Sequence, residues 1–170
     1  MARLFLALWP DAPARGALGT AARALAERCD GRAVPARNLH LTLAFLGEID
    51  PGREGAILAA AEAVVVPAFR LVLDRLGSFP RTGVAWAGCA AAPPELSSLQ
   101  AQLDGRLRDA GFALERRPFS PHVTLARRIA KPVAPGPWGP VSWHATRFSL
   151  VESAREAGGY RERAAWNLEA

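Results

Sequence analysis

Apolar residues recur along the chain with two different periods, and the succession of these periods predicts a mixed α+β fold. Short apolar or alternating runs predict strands, because successive side chains of a strand point to opposite faces. Longer stretches with apolar residues three or four positions apart predict helices. The predicted strands span residues 3–9, 39–46, 69–76, 84–89, 122–125, 148–152 and 164–168. The predicted helices span residues 11–28, 51–65 and 95–110.

Glycine and proline mark the predicted connections between these elements. Gly47 is predicted to end the second strand, and Gly111 to cap the C-terminal end of the third helix. Gly158-Gly159 is predicted to separate the last two strands. The predicted loops and turns span residues 30–38, 77–81 and 134–140.

Two of the three histidines lie in segments that repeat one pattern, His-apolar-Thr-apolar. The segments are His40-Leu41-Thr42-Leu43 and His122-Val123-Thr124-Leu125. In a strand, the histidine and threonine of each segment share one face, while the two aliphatic residues share the other. The segments are 82 residues apart (122 − 40 = 82), close to half of the 170-residue chain. This spacing predicts two related halves that present both motifs to one cleft.

Two imidazoles and two hydroxyls in one cleft suit acid–base chemistry on a phosphodiester. The reference pKa of histidine is about 6.5, so a neutral imidazole can accept a proton and a protonated one can donate it. A threonine hydroxyl on the same face can donate a hydrogen bond to a phosphate oxygen. No carboxylate cluster lies near either motif in the sequence, so neither a metal nor another cofactor is expected. Each histidine alone could instead be a core residue with satisfied hydrogen bonds, but the repetition of the motif argues against this.

Other candidate residues are less decisive. Strict alternation after the second motif would place Arg128 on the face of His122, whereas a bulge would bring Arg127 there instead. The sequence leaves this choice open. Phe45 follows the first motif and is either a stacking surface for a base or a core residue. His144 lacks the motif and is predicted to be structural or exposed.

The overall composition predicts a globular protein without a membrane span. Hydrophobic residues make up 50% of the chain and charged residues 22%, which suits one two-lobed domain over residues 1–170. No apolar run approaches the roughly 20 residues of a membrane-spanning helix. The apolar start of the chain is better explained by a buried strand than by a signal peptide. Cys29 and Cys89 fit neither a disulfide framework nor a metal site, which favours the cytoplasm.

The chain is basic, with a net charge of +5 and a sequence pI of about 10.5. Lys131 is the only lysine, so arginine carries nearly all of the positive charge. Arginine suits bidentate recognition of phosphate. However, the abundance of alanine hints at a codon bias that would also replace lysine with arginine. The charge therefore favours an anionic partner only modestly, and no obligate protein partner is evident.

These features together resemble a known family, the two-histidine phosphoesterases. The similarity is to the bacterial and archaeal RNA 2′,3′-cyclic phosphodiesterases, which are also called 2′-5′ RNA ligases or LigT-like proteins. Residues 38–47 are very close to the first family signature, and residues 117–127 to the second, with no departure in either. Further similarity covers residues 3–8, 77–80, 84–86, 150–153, 160 and 166–168.

The resemblance implies a fold, a reaction and a role for each motif residue. The implied fold is bilobal and pseudo-symmetric α+β, with two antiparallel sheets flanked by helices around a central cleft. The implied reaction is metal-independent hydrolysis of a 2′,3′-cyclic phosphate at an RNA end, such as that of a tRNA fragment, to a 2′-phosphate. ATP-independent joining of that end to a 5′-hydroxyl is implied as the reverse activity. By motif position, His40 is the implied proton donor to the leaving 3′ oxygen and His122 the base that activates water. Thr42, Thr124 and Arg127 are implied phosphate ligands.

Three alternatives to this function remain open at this stage: another substrate, a non-catalytic role and a metal site. The same chemistry could act on a small cyclic nucleotide or a 2′-5′ oligonucleotide. A non-catalytic module could instead bind RNA ends through the histidines, although two intact motifs argue against it. A three-histidine metal site would require His144 in the cleft, and the sequence around His144 does not favour that.

Overall fold

The computed structural model describes residues 1–154 and 158–170, which contain three α-helices and nine β-strands. The helices are α1 (Ala12–Arg28), α2 (Glu54–Glu62) and α3 (Pro94–Asp109). The strands are β1 (Ala2–Leu8), β2 (Arg32–Ala33), β3 (Leu41–Ile49), β4 (Phe69–Phe79), β5 (Val84–Gly88), β6 (His122–Arg127), β7 (Gly136–Ala145), β8 (Arg147–Ala154) and β9 (Gly159–Asn167). Short 3₁₀ helices cover Ala36–Asn38 and Pro51–Arg53.

All strands pair antiparallel with their neighbours, in the order β7-β4-β5-β6-β3-β1-β8-β9, and β2 also pairs with β6. The sheet consists of two halves, β7-β4-β5-β6 with the short β2 on β6 and β3-β1-β8-β9, which meet where β3 and β6 lie side by side. They share one paired position, Leu41 with Val123. The expected α+β fold is therefore confirmed, but the two expected sheets are joined through this pair into one nine-stranded sheet.

One face of the sheet is covered by helices, and this face holds the core. Helix α1 packs on β6 and α3 packs on β3, so each helix crosses to the motif strand of the other half. The motif aliphatics Leu41, Leu43, Val123 and Leu125 are buried beneath these helices in a single cluster. Alternation along each strand therefore turns the motif threonines toward the opposite face, on which none of the three α-helices of the described residues packs.

Each motif strand contains a β-bulge at the same motif position. In β3 the extra residue is Leu43, because Leu6 and Ala7 of the neighbouring strand pair with Ala44 and Thr42. In β6 it is Leu125, because Ala85 and Trp86 pair with Ala126 and Thr124. A bulge shifts the alternation by one residue. The residue two positions beyond each bulge, Phe45 in β3 and Arg127 in β6, consequently returns to the open face and is exposed.

Several element boundaries differ from the sequence prediction. Residues 134–140 were expected to form a loop, but Gly136–Pro140 begins β7. The strand tolerates its prolines because β7 is an edge strand that pairs only with β4. Helix α2 is shorter than expected, and Gly47 lies inside β3 with φ +75° instead of ending it. Gly111, with φ +90°, caps α3 as expected.

Two glycines allow an indole to lie flat on the open face beside the second motif. Trp86 faces Thr124 across β5 and β6 and faces Gly77 across β4 and β5. A Cβ at Gly77 would come within 3.0 Å of three atoms of the Trp86 ring. A Cβ at Gly88, opposite His122, would meet the same ring at 3.0 Å and the carbonyl of Pro121 at 3.1 Å. The indole therefore occupies space that side chains at Gly77 and Gly88 would fill, and it packs against the ring of Phe79, with the centroids 5.5 Å apart.

Gly77→Ala is expected to destabilise the protein by about 1–3 kcal/mol, because Trp86 must move to admit the new methyl group. Gly16→Ala is the matched control, since Gly16 is exposed in α1 and a Cβ there meets nothing within 4 Å. The control should stabilise the protein by roughly 0.5–1 kcal/mol. Urea denaturation measures both changes, and equal effects of the two substitutions would contradict this account of Trp86.

Candidate active site

The pairing of Leu41 with Val123 brings the two motifs together on the open face. If the antiparallel register extends one residue to each side of that pair, His40 lies opposite Thr124 and Thr42 opposite His122. The two histidines are then diagonal neighbours, whose backbones in such a ladder are about 7–8 Å apart. His40 directly precedes β3, and His122 is the first residue of β6. The two rings are close enough that a positive charge on His122 would lower the pKa of His40.

Each imidazole is oriented by a backbone carbonyl two residues earlier in the chain. The Nδ1 atom of His40 is 2.7 Å from the carbonyl oxygen of Asn38, and Nδ1 of His122 is 2.7 Å from that of Ser120. A carbonyl can only accept a hydrogen bond, so Nδ1 carries a proton in both rings. The neutral form therefore has its lone pair on Nε2. In both rings, Nε2 is the atom available for proton transfer.

The hydroxyl of Thr42 already contacts the first of these atoms. Its Oγ1 is 3.1 Å from Nε2 of His40, and in the neutral ring the hydroxyl donates to the Nε2 lone pair. Thr124 occupies the symmetric position in β6 and, like Thr42, is half-buried. The hydroxyl of Thr42 is thus in hydrogen-bond contact with a nitrogen that can transfer a proton.

Aromatic side chains enclose the two imidazoles unequally. His40 contacts Phe5, Trp9 and Tyr160, with ring centroids 4.9, 5.5 and 5.1 Å away. His122 contacts the edge of Phe79, at 5.2 Å. The symmetric backbone therefore holds two histidines in different surroundings, with His40 in the more apolar one.

Burial lowers the pKa of both histidines. Desolvation is the largest effect on each, the backbone hydrogen bond opposes it, and the positive charge of Arg127 lowers both values further. The pKa of His40 falls to about 4, and His122 adds a small repulsion to the fall. Both imidazoles are consequently neutral at pH 7 in the free protein.

The bulge in β6 decides which arginine faces the histidines. Arg127 returns to the face of His122 and Thr124, and its charge acts on both imidazoles. Arg128 ends the strand with φ +52°, in the left-handed region that a non-glycine residue seldom adopts. Of the two geometries that the sequence left open, the structure has the bulged one.

The remaining candidates lie outside the cleft. His144 is exposed on the edge strand β7, as expected. Cys29 is buried and Cys89 half-buried, and both are free thiols. Within the described ranges, 1–154 and 158–170, no three His, Cys, Asp or Glu side chains are grouped closely enough to hold a metal ion. No helix in these ranges is long and apolar enough to cross a membrane.

Comparison with known proteins places this geometry in a family. The model of the 2′-5′ RNA ligase superfamily matches residues 9–157. The chain belongs to this superfamily. It is 39% identical to the RNA 2′,3′-cyclic phosphodiesterase of Escherichia coli strain K12 over 77% of this chain and 75% of that protein. It is 33% identical to the protein of the same name from Thermus thermophilus, over 92% of this chain and 84% of that protein.

Solved structures agree with this assignment over the full length of the chain. The crystal structure of Escherichia coli LigT complexed with 3′-AMP superposes with a TM-score of 0.90 at 35% identity, covering 99% of both chains. A crystal structure described as a phosphoesterase superposes with a TM-score of 0.89 at 34% identity, covering both chains completely. The expected family and fold are thereby confirmed for this superfamily member.

Sequence reasoning missed the residues that support the two histidines. Asn38 is buried, its carbonyl binds His40, and its side-chain amide donates to the carbonyl of Gly158 at 3.0 Å. Phe5 and Phe79 contact the imidazoles directly. One signal was available for Phe5, because alternation in β1 places it opposite the core residues Leu4 and Leu6. Phe79 was predicted to lie in the turn over residues 77–81. It contacts His122 because β4 extends to Phe79 instead of ending at residue 76.

Histidine titration by NMR should show a midpoint near pH 4 for His40 and one below 6.5 for His122. Because these pKa values lie below that of unfolded histidine, the unfolded state binds more protons as the pH falls. The free energy of unfolding should therefore fall between pH 6.5 and 4, by roughly 3 kcal/mol from His40 alone.

Arg127→Ala should raise the titration midpoints of both His40 and His122, because it removes a nearby positive charge. Arg106→Ala is the control, because Arg106 is exposed on α3. Equal shifts of the histidine midpoints in the two variants would contradict the conclusion that Arg127 acts on both imidazoles.

Proposed function

We propose that this protein is an RNA 2′,3′-cyclic 3′-phosphodiesterase, which opens a terminal 2′,3′-cyclic phosphate to a 2′-phosphate. The observation that carries the proposal is that each motif imidazole binds a backbone carbonyl through Nδ1, which leaves Nε2 for proton transfer, and that the paired residues Leu41 and Val123 bring the two motifs side by side. The names of the Escherichia coli and Thermus relatives, RNA 2′,3′-cyclic phosphodiesterase, support the substrate.

The proposed reaction is an in-line displacement at phosphorus. Nε2 of His122 takes a proton from water, whose oxygen attacks the phosphorus. The bond from phosphorus to the 3′ oxygen breaks, and Nε2 of His40 donates a proton to that oxygen. The hydroxyls of Thr42 and Thr124 donate hydrogen bonds to the non-bridging oxygens, and Arg127 offsets their negative charge. The product keeps phosphate on the 2′ oxygen.

The protonated histidine that this reaction requires is supplied when substrate binds. Both imidazoles are neutral in the free protein, because burial and Arg127 disfavour an imidazolium. A phosphodiester anion between the rings has the opposite effect and raises the pKa of its neighbours. Substrate binding therefore favours uptake of one proton by the histidine pair, and the proposed mechanism requires that proton on His40 although His40 is the more desolvated imidazole. The free protein is consequently not in its reactive protonation state at pH 7.

The same machinery supports ligation without ATP. A 5′-hydroxyl that replaces water would be deprotonated by His122 and would attack the same phosphorus, leaving a 2′-5′ linkage. His40 and His122 would exchange roles in the opposite direction, the cleavage of that linkage. The superfamily description, 2′-5′ RNA ligase, accords with this activity.

The substrates that we propose are RNA ends in the cytoplasm, with tRNA fragments as one class, and no obligate protein partner. The enzyme alternative is a small cyclic nucleotide or a 2′-5′ oligonucleotide as substrate. The non-catalytic alternative is a module that binds RNA ends. The relative rates of hydrolysis of RNA ends, small cyclic nucleotides and 2′-5′ oligonucleotides distinguish the proposed function from the enzyme alternative. Turnover of any of these substrates excludes the non-catalytic alternative.

The direct test is incubation with an RNA that ends in a 2′,3′-cyclic phosphate, in the presence of excess chelator. We expect multiple turnovers and a product with a 2′-phosphate, because neither histidine needs a metal to transfer its proton. Digestion and chromatography of the terminal nucleotide identify the end group. A 3′-phosphate product, or activity that returns only with a divalent ion, would refute this mechanism.

Substitutions should separate proton transfer from phosphate binding. His40→Ala and His122→Ala each remove one proton-transfer step and should lower kcat by about 10²–10⁴-fold. Thr42→Ala and Thr124→Ala remove one hydrogen-bond donor and should cost about 10–10³-fold. His144→Ala is the control and should retain the parent rate, since His144 is exposed on β7.

A phosphodiester whose leaving group is p-nitrophenolate distinguishes the acid from the base. This leaving group departs without a proton, so the deficit of His40→Ala should become much smaller than with RNA. The deficit of His122→Ala should persist, because water still requires a base. Rescue of His122→Ala alone would reverse the two assignments.

A further inference from the structure

A cavity of about 280 Å³ adjoins the imidazole pair and is lined by three arginines, Arg32, Arg127 and Arg128. Its wall also includes Asn38, whose carbonyl binds His40, and Tyr160, whose ring is 5.1 Å from the His40 ring. The cavity is therefore next to the proposed reaction centre, and Arg127 contributes to both.

The backbone brings these three arginines to one cavity by two special features. Arg32 pairs directly with Arg127 across β2 and β6. Arg128 follows Arg127, and in an extended strand the two side chains would point in opposite directions. The left-handed conformation of Arg128, φ +52°, ends the strand and lets both line the same cavity. Such strained non-glycine residues are concentrated at ligand sites.

Nothing in the described part of the chain neutralises this cluster. Neither an ion pair nor a side-chain hydrogen bond joins Arg32, Arg127 or Arg128 to any residue of 1–154 or 158–170, and none of the described residues lining the cavity is acidic. A second cavity, of about 320 Å³, differs in having Glu48 and Glu152 beside Arg3 among its described lining residues. Three positively charged side chains at one cavity repel each other unless an anion lies among them, and phosphate is an anion that arginine binds well.

We propose that this cavity is a second phosphate site, which binds the phosphate ester on the 5′ oxygen of the terminal nucleotide. This inference rests on the proposed function. A 2′,3′-cyclic phosphate is a 3′ end, so the RNA continues only through the 5′ oxygen, and its next phosphate is one nucleotide from the reaction centre. The site would favour RNA ends over nucleosides that carry a cyclic phosphate alone.

The test compares adenosine 2′,3′-cyclic phosphate with its 5′-phosphorylated form and with the dinucleotide ApA ending in the same cyclic phosphate. One added charge-assisted contact should raise kcat/KM by about tenfold in both longer substrates. The advantage should decrease with added salt. A gain with the dinucleotide alone would mean that the preceding nucleoside is recognised, and it would overturn the phosphate site.

Two variants locate the effect and one serves as the control. Arg32→Ala should reduce the preference for the 5′-phosphorylated substrate to less than about threefold, whereas Arg106→Ala on α3 should leave it near tenfold. Arg128→Gly should also reduce the preference, yet it should not lower Tm, because glycine adopts a positive φ without strain. A preference that survives both cavity substitutions would place the second phosphate elsewhere and overturn the proposal.

A binding measurement keeps this test independent of turnover. Calorimetric titration compares adenosine 2′-phosphate with adenosine 2′,5′-bisphosphate, and the bisphosphate should bind about tenfold more tightly to the parent protein. Equal Kd values would refute the second site even if cyclic phosphates are hydrolysed. A Kd difference that depends on Arg32, without any hydrolysis, would refute the proposed function and leave the second site standing.

Discussion

The candidate site depends on one backbone pair, Leu41 with Val123. These residues hold equivalent places in the two motifs, and their strands run antiparallel, so the pair lies on a local two-fold axis. Symmetry then requires each histidine to lie opposite the other motif's threonine. Burial of both aliphatic side chains under α1 and α3 fixes which face carries the polar residues. A slip of one residue in this register would turn the motif threonines into the core.

The backbones of the two motifs are related by symmetry, but the side chains around the two histidines differ. The proposed reaction, with one acid and one base, requires such a difference. The two bulges are equivalent, yet the residues they return to the open face differ: Phe45 in one half and Arg127 in the other. The aromatic contacts differ in the same way, with three rings around His40 and the edge of one against His122. In the proposed mechanism, different neighbouring side chains around two similar motifs therefore separate the role of His40 from that of His122.

The sequence predicted the parts of this site that depend on local periodicity. Alternation placed each motif histidine and threonine on one face, and glycine spacing located the end of α3. It could not decide between Arg127 and Arg128, because a bulge forms against a neighbouring strand and has no signature within β6 itself. The strand over Gly136–Pro140 was missed for a related reason: proline and glycine indicate a loop unless the strand is known to lie at an edge. Contacts such as Phe79 with His122 join distant segments and follow only from the assembled sheet.

Charge in the cleft is balanced between protein and substrate. Burial and Arg127 together keep both imidazoles neutral, so the free cleft presents guanidinium charge and no imidazolium. This arrangement avoids mutual repulsion among His40, His122 and Arg127 before substrate arrives. A phosphate anion then compensates Arg127 and makes one proton on the histidine pair favourable, in a position where it can be transferred. In the proposed mechanism the reactive protonation state is therefore a property of the complex, and the low pKa of the free imidazoles is compatible with a catalytic acid because the bound anion favours uptake of a proton from solvent.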